Sequence, residues 1–182
     1  VLVLGAGGGV GLAAIDVARM FGARTIAAAS STAKLAAAKA QGADLLVDYS
    51  GADWRKAAQD TAGERGIDVV VDSVGGAYSE TAFRCLRPGG RLLVVGFANG
   101  EIPRIPLNLL LLKGAQLLAF NLGPFMANEP EEMARNHREL LELFFAGRLH
   151  PRIDAVHPLA ETARALAHVA ERRAIGKVLI VT

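Results

Sequence analysis

The sequence contains a single cysteine, Cys85, which excludes an internal disulfide and any multi-cysteine zinc site within the chain. That usage fits a reducing compartment, and a cytoplasmic protein is expected. Aromatic residues are scarce, at 5%, and charged residues make up 21%, against 52% hydrophobic residues rich in Ala, Val and Leu. Such a composition suits a globular chain with close helix–sheet packing. No run of one charge sign stands out, and a formal net charge of +2 gives no argument for nucleic acid. The longest strongly apolar stretch, Leu107 to Leu112, is interrupted by Asn108 and closed by Lys113, far too short to span a bilayer. A basic leader with a cleavage pattern is also missing, so no signal peptide is expected. The chain begins at Val1 inside a β-type run, without Met, as a piece of a longer polypeptide would.

What the sequence does have is an opening stretch around which the rest is organised. The apolar run Val1 to Leu4 meets the glycine cluster Gly5-Ala-Gly-Gly-Gly-Val-Gly11, and a helical pattern follows with Gly11, Ala14, Ile15 and Ala18 on one face. Strand, glycine turn and helix start create a phosphate site, because free N–H groups and the helix dipole point out of the first turn. Read strictly, the dinucleotide fingerprint is Ala6-x-Gly8-x-x-Gly11, with alanine in the first glycine slot. Taken alone, that signal is weak.

The following segments support it. Arg24 to Ala29 reads as strand two, Thr32 to Gln41 as a helix capped by Gly42, and Leu45 to Tyr49 as strand three. Asp53 can cap a helix reaching Ala62 and buried through Trp54, Ala57 and Ala58. Ile67 to Asp72 is a β-branched run suited to a parallel strand covered on both faces. Tyr78, Ala82, Cys85 and Leu86 share a helix face that Arg87-Pro-Gly-Gly90 ends. Arg91 to Gly96 is then strand five. Ile102 to Pro106 leads to a short helix through Lys113 and to strand six, Ala115 to Phe120. These elements predict an α/β fold: a Rossmann, doubly wound parallel six-stranded sheet of order 3-2-1-4-5-6, over residues 1–123.

Residues 124–182 predict a C-terminal α/β appendage that needs a partner surface. Glu131 to Ala146 is a helix with Met133, Leu140, Leu141 and Phe144 on one stripe, and Ile153 to Val156 is a candidate strand. Pro158 to Glu161 opens a helix with Ala163, Leu166, Ala167 and Ala170 as its apolar face, and Lys177 to Val181 is a final strand.

In such a sheet the ligand lies beyond the carboxyl ends of the strands. Gly8, Gly9 and Val10 would then underlie a pyrophosphate. At the end of strand two an NAD-preferring site carries an acid, whereas here Ala27 to Lys34 contains Ser30, Ser31 and Lys34 and no carboxylate. Two hydroxyls and a lysine favour the extra phosphate of NADP(H), although simple capping and a solvated lysine would give the same residues. Val74, Gly96, Phe97, Asn121 and Leu122, at the tips of strands four, five and six, would surround the nicotinamide. Neither catalytic residues nor metal ligands are expected. His137, His150, His157 and His168 lack partners at ligand spacing, Cys85 reads as core, and Asp72 reads as a loop-holding residue.

With these motifs in order, the chain resembles the medium-chain dehydrogenase/reductase superfamily, and within it the zinc-independent quinone oxidoreductase (zeta-crystallin-like) branch. The resemblance rests on Gly5 to Gly11, Ala29-Ser-Ser31 with Lys34, Gly42-Ala-Asp44 leading to Val47-Asp-Tyr49, Asp68 to Gly76, and Arg87 to Gly96. Ile105 to Lys113 and Gly176-Lys-Val-Leu179 extend it. It implies NADPH as cofactor, with Lys34, Tyr49 and Ser30 on the 2′-phosphate. It also implies a quinone or α,β-unsaturated carbonyl as hydride acceptor, and a homodimer paired through strand six, Ala115 to Phe120. No membrane or nucleic-acid partner is implied. A GroES-like domain that precedes this part in family members is absent from the sequence, which leaves three further readings open. These are a nucleotide-binding module without activity of its own, part of a zinc-dependent alcohol dehydrogenase, and an S-adenosylmethionine methyltransferase. The last would want an acid where Ala29-Ser30 stands.

Overall fold

Val1 to Leu4 carries no polar side chain. In the computed structural model, which describes residues 1–182, Leu2–Leu4 forms β1 with every residue fully buried. Burial on both faces is what a central parallel strand requires. β2 (Ile26–Ala29) and β4 (Ile67–Asp72) flank it, followed outward by β3 (Leu45–Asp48) on one side and by β5 (Leu86–Val94) and β6 (Gln116–Ala119) on the other. The order is β3-β2-β1-β4-β5-β6 with every pairing parallel, as the sequence predicts. Strand order reverses between β1 and β4, so the loops after these strands splay apart and leave a crevice.

Helices cover both faces. On one side α1 (Gly9–Met20) and α2 (Thr32–Ala40) close a small core of Val3, Leu12, Ile15, Ala27 and Ala38. On the other, α3 (Trp54–Ala62) and α4 (Ala77–Cys85) cover a larger one that includes Leu4, Val70, Phe83 and Leu92. Cys85 belongs to this core, and burial pushes its thiol up to about 11, so it stays protonated and inert at neutral pH.

Several faces differ from the sequence expectation. The buried stripe of α1 is Gly11, Leu12, Ile15 and Asp16, while Ala14 and Ala18 are only half-buried. Asp16 turns inward because its carboxylate accepts from Gln41 Nε2 at 2.7 Å and from the His150 backbone N–H at 2.9 Å. In α3 the stripe is Trp54, Ala58 and Ala62, with Ala57 exposed, and Asp53 stands at the cap without a side-chain hydrogen bond. β5 starts at Leu86 instead of Arg91. Leu86 pairs with Ile67 and Arg91 with Val69, so Arg87 to Gly90 forms a bulge inside the strand instead of a turn before it.

After β5 come α5 (Leu107–Lys113), β6, and an unanticipated helix, α6 (Leu122–Asn128). α7 (Pro130–Phe145) is amphipathic yet buries no residue; Leu140 and Phe144 remain exposed. β7 (Ile153–Pro158) pairs in parallel with β8 (Lys177–Val181) as a separate two-stranded sheet, and α8 (Thr162–Ala170) packs against both. Ala165 is the buried residue of α8, whereas Ala163, Leu166 and Ala170 of the expected face are exposed. No helix is long and apolar enough to cross a membrane.

The last segment returns to the glycine turn. Gly176 N–H donates to Gly7 C=O at 3.1 Å, and Lys34 Nζ donates to Arg172 C=O at 3.2 Å. These contacts bring the tail to the mouth of the crevice.

Candidate functional site

A cleft of about 590 Å³ opens beyond the carboxyl ends of the strands, within the size range of cofactor sites. Its floor is the turn between β1 and α1. Gly5 has φ +65°, and a Cβ there would meet Ser73 Oγ and Val74 Cγ2 at 3.0 Å, so Gly5 makes the tight turn and Ala6 in the fingerprint slot does no harm. Gly11 lets α1 approach β1: a Cβ there would lie 2.3 Å from Gly5 O and 2.7 Å from Ala6 Cα. Gly7 has a different purpose. A Cβ on it would lie 2.5 Å from Lys34 Cβ, so the bare backbone lets the lysine stem cross directly above the turn. Gly8 is the open one, with Gly5 O at 3.4 Å the nearest atom to an added Cβ. Behind it, α1 presents the unpaired N–H groups of a 12-residue helix.

Nine of the residues picked out in the sequence line this cleft together: Gly8, Gly9 and Val10 at the turn, Ser30, Lys34 and Tyr49 beyond β2 and β3, and Val74, Gly96 and Phe97 beyond β4 and β5. Ser31, Asn121 and Leu122 lie outside this lining. Ser31 caps α2, its Oγ accepting from Lys34 N–H at 3.4 Å. Asn121 caps α6, accepting from Gly123 N–H at 3.3 Å, and Leu122 is the first residue of that helix. β6 ends at Ala119 and the chain turns at once into α6.

Other lining residues escaped sequence reasoning. Tyr78 enters from the first turn of α4, and Asn99 from the loop after β5. Arg172 comes from the tail, with φ +58° in the left-handed region, its Nη2 donating to Asn99 C=O at 3.5 Å. That conformation is the left-handed cap that closes α8, with Arg172 N–H donating to Val169 C=O at 3.0 Å and Arg173 N–H to His168 C=O at 3.2 Å. Nothing local signals its place in the cleft, since Arg172 meets Lys34 across 138 residues of sequence. The lining offers hydroxyls, phenols, amides and two cations, and no carboxylate, imidazole or thiol.

Asp72 shapes the wall. Fully buried, it accepts from the N–H groups of Val74 (2.9 Å) and Gly75 (3.0 Å) at one oxygen and from Ser79 Oγ (2.5 Å) at the other. It is therefore a loop-holding residue, which pins both the β4 tip and the start of α4. Tyr49 sits against Tyr78, ring centroids 4.7 Å apart, and against Trp54 at 6.2 Å. Burial raises the Tyr49 phenol above its ordinary value, Tyr78 and Asp72 add to this, and Arg172 and a hydrogen bond with the Gly5 backbone oppose it.

The histidines lie elsewhere. His168 Nε2 meets Asp154 Oδ2 at 2.8 Å and His157 Nδ1 meets Glu161 Oε2 at 3.2 Å, two pairs that tie β7 to α8 and to the turn before it. Each hydrogen bond is the main reason its carboxylate falls below the usual range. His150 contributes its backbone, and His137 is exposed on α7.

The chain matches the family model described as zinc-binding dehydrogenase over residues 9–141. It is 39% identical to quinone oxidoreductase-like protein 2 of Bos taurus over 181 residues, 99% of this chain and 52% of that protein. Among solved structures, an NAD-dependent alcohol dehydrogenase superposes with a TM-score of 0.86 at 34% identity, covering 100% of this chain and 50% of the other. Escherichia coli quinone oxidoreductase complexed with NADPH gives a TM-score of 0.88 at 26% identity, covering 100% and 56%. The chain spans about half the length of the relatives it matches. The glycine turn, the reversal of strand order above it and these matches lead to one assignment: the chain belongs to the zinc-binding dehydrogenase family, as a Rossmann nucleotide-binding domain of the quinone oxidoreductase type within the medium-chain dehydrogenase/reductase superfamily.

Proposed function

We propose that this chain binds NADPH and forms the cofactor-holding half of an oxidoreductase that reduces a quinone or an α,β-unsaturated carbonyl. The observation that carries the reading is the β2 end of the cleft, where Ser30, Lys34 and Tyr49 converge and no carboxylate faces in. A carboxylate there would repel a 2′-phosphate; an ammonium and two hydroxyl donors stabilise it. Arg172 adds a second cation to the same cleft. The E. coli relative complexed with NADPH supports the cofactor, and the quinone oxidoreductase-like relative supports the substrate class.

NADPH would supply the hydride. The chain's own residues bind and orient. The first N–H groups of α1, over Gly8 and Gly9, receive the pyrophosphate with the helix dipole behind them. Val74, Gly96 and Phe97 line the far end of the cleft, where the reacting ring would rest against them.

Calorimetric titration with NADPH and NADH tests the proposal. Lys34→Ala is expected to weaken NADPH by about 1.5–3 kcal/mol, roughly tenfold to a hundredfold, with NADH nearly unchanged. Equal losses for the two cofactors would refute the phosphate role, and a parent chain that prefers NADH would point to the alcohol dehydrogenase neighbour instead.

Residues 124–182 are read as the docking unit for a further domain that completes the substrate pocket, in a cytoplasmic enzyme. In support, Leu159, Leu166, Val169 and Val181 are exposed on this unit, and the chain covers about half of its relatives. A homodimer would cover the free edge of β6, where Leu118 and Phe120 are about half exposed. On that reading the parent chain sediments as a dimer and Leu118→Lys as a monomer in analytical ultracentrifugation; identical sedimentation would remove β6 as the interface.

A further inference from the structure

Lys34 is a half-buried cation whose Nζ donates to Arg172 C=O at 3.2 Å, and a single ammonium binds any phosphate within its reach. Discrimination needs a second group held in a fixed place, and Tyr49 is the candidate because its surroundings immobilise it. It is 8% exposed and lies between two other aromatic side chains. Trp54, 7% exposed, meets it edge-on at 6.2 Å with planes at 62°, and Tyr78 meets it at 4.7 Å with planes at 49°. Trp54 and Tyr78 are 6.3 Å apart, so the three rings form a closed triangle. Of the two neighbours, only Tyr78 also lines the cleft.

Tyr78 is itself fixed. The next residue, Ser79, donates its hydroxyl to the buried Asp72 at 2.5 Å, and Gly76, at φ +60°, forces the turn into α4. The position of the Tyr78 ring is thereby set by the β4 tip, the element that marks the reversal of strand order. Tyr49, at the end of β3, has no hydrogen-bonded neighbour on that side of the sheet, because β3 is an edge strand. The Tyr78 ring packs against it from the side of the cleft, at 4.7 Å between ring centroids.

We propose that Tyr78 is a positioning residue for cofactor choice: its ring holds Tyr49 against the cleft, so that preference for a 2′-phosphate depends on the Tyr49–Tyr78 pair as well as on Lys34. The inference rests on the NADPH reading given above. It concerns the ring of Tyr78 and not its hydroxyl, since the contact is between ring faces and edges.

The test is the ratio of NADPH to NADH affinity, measured by calorimetry on the whole chain and on Tyr78→Phe, Tyr78→Ala and Lys34→Ala. Tyr78→Ala is expected to lower the ratio about fivefold, the scale of one aromatic pair, with NADH affinity kept within about twofold. Tyr78→Phe keeps the ring and is expected to keep the ratio. A merely structural role would lower both affinities together and leave the ratio alone, and that result overturns the proposal. So does an unchanged ratio in Tyr78→Ala. If Tyr78→Ala fails to fold, Tyr78→Leu, which fills space without a ring, carries the same comparison. A parent chain with no preference for NADPH, joined by an unresponsive Lys34→Ala, would instead sink the underlying cofactor reading; a Lys34→Ala response with a silent Tyr78→Ala would sink this inference alone.

Discussion

Gly11→Ala is expected to destabilise the chain by about 3 kcal/mol and to abolish measurable nucleotide binding. A single methyl is added, but the space it needs is already filled by backbone. The new Cβ would lie 2.3 Å from Gly5 O, 2.7 Å from Ala6 Cα and 2.8 Å from Gly5 C. Those atoms belong to the tight turn after β1, so no side-chain rotation can relieve the overlap. Either α1 moves away from the sheet, opening the small core around Leu12 and Ile15, or the turn deforms and its N–H groups lose their aim. Urea denaturation followed by circular dichroism measures the first effect and NADPH titration the second. A change in stability below about 0.5 kcal/mol, the range of ordinary surface substitutions, would show that α1 does not pack on β1 in this way. Gly8→Ala is the matching control. Its Cβ meets only Gly5 O at 3.4 Å, so stability should hold while the added methyl stands between the helix start and its anion.

The second large effect is expected at Asp72. Asp72→Ala leaves the N–H groups of Val74 and Gly75 and the hydroxyl of Ser79 without their acceptor in a fully buried place. Each orphaned group costs about 1–3 kcal/mol, and the shared site makes a total of roughly 3–5 kcal/mol reasonable. Asp72→Asn is expected to lose less, because its carbonyl still accepts from the two backbone groups and its amide can donate to Ser79 Oγ. Ser79→Ala, which removes one donor of three, should lose least. Thermal or urea unfolding of the three variants gives the order, and an Asp72→Ala chain as stable as the parent would contradict it. Because Val74 and Tyr78 stand on the two segments that Asp72 ties together, NADPH affinity is expected to fall in the same order.

The sequence by itself determined the parts of this protein in which one element reports on its own surroundings. The apolar run of β1, the β-branched run of β4 and the glycine turn each carry their meaning within a few residues. Local chemistry was enough to predict the parallel sheet and its order. The same holds for most of the cleft, because the ends of consecutive parallel strands all face one side. Asn121 and Leu122 mark the limit of that reasoning, since a helix starts where a strand tip was expected.

Only the tertiary structure decided which side chains meet across the sheet. Asp16 lies on the buried face of α1 because Gln41 and the His150 backbone, 25 and 134 residues away, satisfy it. Arg172 reaches the cleft because β8 closes back on the glycine turn through Gly176 and Gly7. Tyr78 meets Tyr49 because β4 and β3 sit on opposite sides of β1, and α4 packs beside α3. Periodicity and capping describe a residue's relation to its own helix or strand. Contacts between elements depend on where the folded chain returns, and no pattern within a short window records that.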